Sequence, residues 1–433
     1  MALFSCKKEA SGPTEVKAEL YHQLYDELTK AIIHDVYSPP VASRIYVYPN
    51  IAAYQCISYG SDNLKSLNNQ LTDLNIEYPE IPENVNYAQA AIIAYLDVAE
   101  DLIFAKEKLT VFKDSLYQGW KNKNPREFQI SQKFGQNVSG QIKDWMNNDN
   151  YNATRSLPDF YVDYQQPGRW MPTPPTYIKG IEPHWSKIRP FCIDSSNQFK
   201  PIPPPDFSLE ENSTFYKELI EVYEIVKNIR EVGNDSEEIE IARFWDCNPF
   251  VSVNVGHYMF AEKKITPGAH WIGICKIACQ DSNFDLEKTV QAYAKTTIAV
   301  ADAFISCWDE KYRSNLIRPE TVINSEIDAE WLPILQTPPF PEYTSGHSVV
   351  SGSSAVILTS IFGDDFSFYD TTEIDYGLPT RKFSSFKAAA EEAAISRIYG
   401  GIHYDSAVEN GLKQGELVGN YINSNLEMLV NSK

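Results

Sequence analysis

Sulfur is scarce in this sequence, long apolar runs are missing, and positive charge is in deficit. Seven cysteines in 433 residues are too sparse for a disulfide scaffold. No apolar run approaches the ~20 residues a membrane-spanning helix needs, so no transmembrane segment is expected. Lys and Arg number 38 against 58 Asp and Glu, a formal net charge of -20. That balance disfavours nucleic acid and anionic membrane surfaces as partners. No period of 20 to 50 residues recurs, which excludes a solenoid. An anionic ligand must therefore find a local basic pocket inside an acidic protein.

What is present is a folding chain, 43% apolar with 13% aromatics, patterned mostly as helix. Residues 14–37 place Val16, Leu20, Leu24, Leu28, Ile32 and Val36 on one stripe. Ser38-Pro39-Pro40 reads as the stop of that helix, and Pro49-Asn50 as the start of another. A long helix over 86–108, Ala- and Ile-rich on nearly all sides, suits a buried position. Another, over 125–147, carries Phe134, Val138, Ile142 and Met146 at four-residue steps. Further helices are expected near 208–232, 235–246, 286–310, 345–362, 384–399 and 403–426. Between them, residues 157–207 crowd prolines with Trp170 and Trp185, a composition that prevents helix and favours an extended segment wrapped over the helices. The expected fold is all-α, two packed helical bundles (14–156 and 208–433) joined by that Pro/Trp-rich wrap, the second carrying the functional residues.

The first 13 residues read as a disordered or lipoprotein-type terminus. Leu3-Phe4-Ser5-Cys6 followed by Lys7-Lys8 resembles a bacterial lipobox and points to an exported, periplasmic or surface-anchored protein, although the charged and apolar parts of a signal peptide do not precede Cys6. Of the other cysteines, Cys275 and Cys279 stack on one helix face. No second Cys or His pair accompanies them at zinc-site spacing, so they are read as core.

Chemistry concentrates after residue 300, in three short motifs. DEKYRSNLIRPETV sets Lys311 six residues before Arg318-Pro319. PPFPEYTSGHSVV holds Ser345-Gly346-His347 at a helix start. ISRIYGGIHYDS has Ser396-Arg397 and, after five residues, His403. Two forked guanidinium groups, one ammonium, and a helix N-terminus opened by glycine suit a tetrahedral or trigonal-bipyramidal oxyanion. His403 is placed to approach the central atom axially, and His347 to exchange a proton at an apical oxygen. Singly, each motif is explained by caps, turns or solvated helix ends. All three in order, each at a helix boundary of an acidic chain, point to one site.

The three motifs resemble the signature of the vanadium-dependent haloperoxidase and type 2 phosphatidic-acid-phosphatase superfamily: Lys-x6-Arg-Pro, Pro-Ser-Gly-His and Ser-Arg-x5-His. FWDCNPF with downstream His270-Trp271, GRWMPTPP with PHWSKIRPF, Trp308, and GGIHYDSAVENGLKQGELVG resemble its haloperoxidase-like branch common in Bacteroidetes. The resemblance implies that Lys311, Arg318, Ser345, the Gly346 amide and Arg397 hold the equatorial oxygens of vanadate. It makes His403 the axial metal ligand through Nε2 and His347 the acid–base group. Lys311 would then polarise the reacting peroxide oxygen. Thr344 stands where that family usually has proline. Phe340 occupies a position that is His in algal bromoperoxidases and Phe in fungal chloroperoxidases.

Trp308 and Phe340 are expected to line an apolar anion pocket suited to a soft halide. The resemblance thus implies a haloperoxidase using hydrogen peroxide on iodide first and bromide second. Phosphate can occupy such a site, and a phosphatase acting through a phosphohistidine at His403 uses the same groups, as does a noncatalytic oxyanion-binding module. The latter has no need for two histidines on opposite sides of the anion. The remaining histidines, His22, His34, His184, His257 and His270, show no ligand spacing. Of these, His257 and His270 flank a loop that the resemblance places near the pocket mouth, where a supporting role is expected.

Overall fold

Proline decides where several of these helices begin. The structure, a computed structural model, describes residues 12–80, 84–233, 236–249, 252–255, 258–261 and 264–430; Cys6 and His257 lie outside them. Helix α1 (Ala18–Asp35) is followed by α2 (Pro39–Tyr59), so the expected stop at Pro39-Pro40 is a start. A proline at the first helical position lacks only an N–H that has no intrahelical partner there, and its fixed φ suits the helix. Pro49 does not restart the chain either; α2 runs through it, and the Asn50 side chain donates to Tyr46 O at 2.8 Å. Residues 39–58 are buried on every side, and that packing holds a helix its proline alone would break.

Helix α3 (Tyr87–Leu102) ends sooner than its composition suggests, and α4 (Glu107–Lys123) is separate from it. After α5 (Pro125–Asn147) and the single turn α6 (Tyr151–Thr154) the chain stays irregular until α7 (Thr214–Val232), apart from a 3-10 turn at Trp185–Lys187. Then come α8 (Glu237–Phe244), a hairpin of β1 (Ser252–Val255) with β2 (Tyr258–Ala261), α9 (Pro267–Asp281), α10 (Leu286–Ser314), α11 (Pro319–Glu326) and α12 (Gly346–Phe362). A second antiparallel pair, β3 (Phe368–Asp370) with β4 (Arg381–Phe383), precedes α13 (Phe386–Tyr399) and α14 (Asp405–Asn425). The fold is all-α with two small hairpins. Sequence periodicity overlooked α9 because its first nine residues are all buried, which leaves no polar face to mark the period.

Helix α10 is the axis, packed on α2 from the first half and on α12 and α9 from the second. One core runs from Tyr21 to Met428. The proline-rich segment is fastened to this axis. Asp302, fully buried on α10, accepts hydrogen bonds from the amides of Phe191, Cys192 and Ile193 at 2.8, 2.7 and 3.0 Å. Trp170 and Trp185 are both buried. Upstream, the Trp170 amide donates to Asn315 O and the Ile317 amide to Gly168 O, so the wrap pairs with the chain between Lys311 and Arg318.

Helices α12 and α14 approach backbone to backbone. A Cβ on Gly415 would stand 2.1 Å from Val349 O, and one on Gly352 2.6 Å from Leu412 O. Neither carbonyl can swing aside without breaking its helix. Gly415→Ala is expected to cost about 3 kcal/mol in urea unfolding. Gly119→Ala, at a helical position that meets nothing within 4 Å, should stabilise by about 0.5–1 kcal/mol. The contrast separates close approach from helix propensity.

Candidate active site

The site is assembled where α10 ends and α12 and α14 begin. Trp308 and Lys311 are three residues apart on α10, hence on one face. Asn315 closes that helix in the left-handed region at φ 49, and Pro319 at the first position of α11 makes Arg318 its N-cap. Arg318 is fully buried. It donates from Nε to Phe340 O (3.0 Å) and from Nη1 to Ile402 O (2.8 Å), with Nη1 also 3.1 Å from His403 Nε2. Its Nη2 has no partner.

The turn 338–346 wraps around Lys311, whose Nζ donates to the carbonyls of Pro341 (3.1 Å), Glu342 (3.0 Å) and Thr344. All three ammonium protons are thus committed to the turn. The expected family proline is replaced by Thr344, whose hydroxyl donates to Gln414 Oε1 on α14 at 2.7 Å, so a hydrogen bond to a neighbouring helix holds the turn. Ser345 caps α12 by accepting from Ser348 N, while its own amide donates to Ala407 O at 3.0 Å. The open amides of the first turn are those of Gly346 and His347, not Ser345. A Cβ on Gly346 would stand 3.5 Å from the Trp308 ring and 3.8 Å from Lys311 Cε, so bare backbone faces the pocket there.

Arg397, in the last turn of α13, donates from Nη1 to Trp245 O at 2.6 Å and has Nη1 3.2 Å from His347 Nε2. Asp246 stands 4.0 Å from Nη2, and Nε has no partner. His403, expected at the first position of its helix, lies in the turn just before α14, whose N-cap is Tyr404. The cavity between these groups is lined by Gly346, His347, Arg397 and His403 on its polar side and by Phe304, Trp308, Phe340, Pro39, Pro267 and Pro338 on its apolar side. The Trp308 and Phe340 ring centroids are 5.0 Å apart. The structure thus brings together every residue singled out from the three motifs, with Lys311, Arg318 and Ser345 behind the cavity wall.

Glu342 is the functional residue that motif reasoning missed. Fully buried, it accepts at Oε1 from His403 Nδ1 (2.7 Å) and from the Tyr404 amide (3.0 Å). This places the proton on Nδ1 and leaves the Nε2 lone pair toward the cavity. Its only sequence signal is a lone acid in the proline-rich approach to the Ser-Gly-His motif. Cys247, which also lines the cavity, belongs to the FWDCNPF stretch, whose role the sequence left open. His270 is not at the mouth but fully buried beside Cys247 and Asp370. His22 bonds the Tyr293 hydroxyl, His184 bonds Pro158 O, and His34 sits exposed beside Asp35.

Burial dominates the electrostatics. It pulls the His403 imidazole well below its ordinary value, with Arg318 and Lys311 adding to the effect, and does the same to His347 with help from Arg397. Both imidazoles are thereby biased toward the neutral form. Burial also brings Lys311 down to about 7, assisted by Arg318 and opposed by Cys307 and Glu342. Glu342 is pushed up to about 8 by burial, against Arg318 and Lys311.

An anion arriving beside Lys311 raises its pKa again, so at pH 8 the complex holds a proton that the free site lacks. Orthovanadate binding should therefore take up a fraction of a proton at pH 8 and weaken as pH rises through about 7. Calorimetry in buffers of different ionisation heat checks this, and Lys311→Met should remove the uptake.

A family model described as the VCPO second helical-bundle domain matches residues 291–432. A bacterial vanadium-dependent iodoperoxidase of known structure is 56% identical, with a TM-score of 0.94, and the match covers 98% of this chain and 100% of that one. The chain belongs to the vanadium haloperoxidase superfamily. Holo and apo structures of a bacterial vanadium-dependent chloroperoxidase share the fold at 16% identity, with TM-scores of 0.63 and 0.65. They match over 90% of this chain and over 94% and 95% of theirs. No curated protein matches it.

Membership of this family implies a vanadate cofactor, and the haloperoxidase site fits one. Arg318 Nη2 and Arg397 Nε are buried donors without partners, and a buried guanidinium N–H left unpaired is costly unless an acceptor joins it. Among the described residues no helix is long and apolar enough to cross a membrane.

Proposed function

We propose that this haloperoxidase oxidises iodide, and bromide less readily, with hydrogen peroxide at a vanadate held by His403. The observation that carries the reading is the pair of partnerless guanidinium nitrogens, on Arg318 and Arg397, beside two buried histidines at a cavity walled by Trp308, Phe304 and Phe340. Vanadate, when bound, supplies a Lewis acid that activates peroxide without changing its own oxidation state.

The chain's residues do the rest. His403 would hold the group through its Nε2 lone pair, in the tautomer that Glu342 favours. Arg397 and the Gly346 amide line the cavity, and together with Arg318, the Ser345 hydroxyl and Lys311 behind its wall they would hold the anion and offset its charge. His347, neutral and 3.2 Å from Arg397, takes a proton from incoming peroxide at Nε2 and returns it to the departing hypohalite. Trp308 and Phe340 exclude water and give a large polarisable halide an apolar seat. Iodide ranks first because it is the easiest of the halides to oxidise and because the 56% identical relative is an iodoperoxidase.

A phosphatase working through a phosphohistidine at His403 would use the same cations, but the apolar wall suits a halide better than a polar leaving group. The deciding assay follows triiodide formation from iodide and peroxide, with and without orthovanadate, beside hydrolysis of an aryl phosphate. Vanadate-dependent triiodide formation is expected. Brisk phosphate release with no vanadate-dependent halide oxidation would overturn the reading.

A further inference from the structure

Starting from Cys247, which lines the cavity, three side chains from separate parts of the chain converge. Cys247 lies in the loop after α8, His270 in the first turn of α9, and Glu373 just past β3; all three are buried, at 1%, 0% and 4% exposure. Cys247 Sγ is 3.4 Å from His270 Nδ1, Glu373 Oε1 is 3.2 Å from the same nitrogen, and Sγ and Oε1 are 3.9 Å apart. Zinc bound tetrahedrally at about 2.3 Å from sulfur and about 2.0–2.1 Å from nitrogen or oxygen separates its ligand atoms by about 3.4–3.6 Å. The three observed spacings bracket those edges.

Without a metal, His270 lies between the carboxylates of Asp370 and Glu373, and the Cys247 thiol shares its Nδ1 side. Nδ1 carries at most one proton, yet it faces both a thiol and a carboxylate. A dication serves all three atoms at once, and thiolate plus carboxylate cancel its charge. The outer nitrogen is also prepared: His270 Nε2 stands 2.8 Å from Asp370 Oδ2, and Thr372 donates from both its amide (3.0 Å) and its hydroxyl (2.7 Å) to Asp370 Oδ1. A carboxylate on the far nitrogen fixes the tautomer that a metal-bound histidine needs. The Trp245 ring stacks on the imidazole at 4.4 Å, which holds its plane.

We propose that Cys247, His270 and Glu373 bind one zinc-class divalent ion, with Asp370 as the carboxylate behind the histidine. The mixed sulfur, nitrogen and oxygen set favours zinc over the hard cations magnesium and calcium. The ion pins residues 245–247, and Trp245 O holds Arg397, so the centre steadies one wall of the oxyanion cage. It stands whether or not vanadate is the cofactor.

Elemental analysis of the full-length protein, purified without chelator, counts zinc and vanadium separately. About one zinc per chain is expected, falling at least tenfold in Cys247→Ala and in His270→Ala. Asp370→Asn should weaken zinc binding about 10–100-fold in competition with a chelator. Titrating zinc-stripped wild-type protein with cobalt should raise a thiolate-to-cobalt charge-transfer band, a readout independent of whether the variants fold. Zinc retained in full by Cys247→Ala, or wild-type protein with neither zinc nor a cobalt–thiolate band, overturns the proposal.

Discussion

His403→Ala is expected to lower vanadate-dependent iodide oxidation by at least about 10³-fold in kcat/KM, equivalent to about 4 kcal/mol of transition-state stabilisation. The side chain is the only described imidazole whose Nε2 stands beside Arg318, at 3.1 Å, with its other nitrogen held by a buried carboxylate. Alanine removes the axial donor and leaves the cations, so weak oxyanion binding should persist while turnover disappears. Helical circular dichroism should be unchanged, since His403 sits in the turn before α14 and contributes no helix hydrogen bond. Intact iodide oxidation in this variant would refute the site assignment.

Substitutions at Glu342 should split by chemistry. Glutamine keeps an acceptor for His403 Nδ1 and the Tyr404 amide, so Glu342→Gln is expected to lose less than about tenfold in activity. Alanine leaves both donors buried and unpaired, at about 1–3 kcal/mol each in stability. It also frees the imidazole to change tautomer, so vanadate affinity should fall about 10–100-fold, as for other supporting carboxylates of metal-bound histidines. The pH profile gives a second readout. Glu342 is pushed up to about 8, so any limb of the wild-type profile near that pH should vanish in the glutamine variant. A loss in the glutamine variant as large as in the alanine one would show that Glu342 acts through its charge and not through the acceptor it gives His403.

Most of the helices were legible because their apolar residues recur at steps of three and four. Two of the exceptions share a cause. Helix α2 runs through Pro49 and α9 has no polar face, and both are buried nearly all round, so neither proline punctuation nor amphipathic period reported on them. The motif residues were legible for a different reason. Oxyanion chemistry demands particular side chains at particular helix ends, and those short spacings survive in one dimension. Glu342 was not, because a single carboxylate in a turn becomes informative only when α14 brings His403 2.7 Å from it. Cys247, His270, Asp370 and Glu373 are further still from any readable spacing, being drawn from three stretches of the chain.

By itself the sequence determined the helical class, the lack of an apolar run long enough for a membrane-spanning helix, and the identity of the cationic and imidazole groups, since local periodicity and residue chemistry carry those. Tertiary structure alone decided how each group is used. It commits Lys311 to three carbonyls of the turn, leaves one guanidinium nitrogen on each of two arginines without a partner, and biases both histidines toward the neutral form by burial. Such outcomes depend on which donors and acceptors meet away from water. That is settled by long-range packing, above all the glycine contact of α12 with α14 and the wrap fastened to α10.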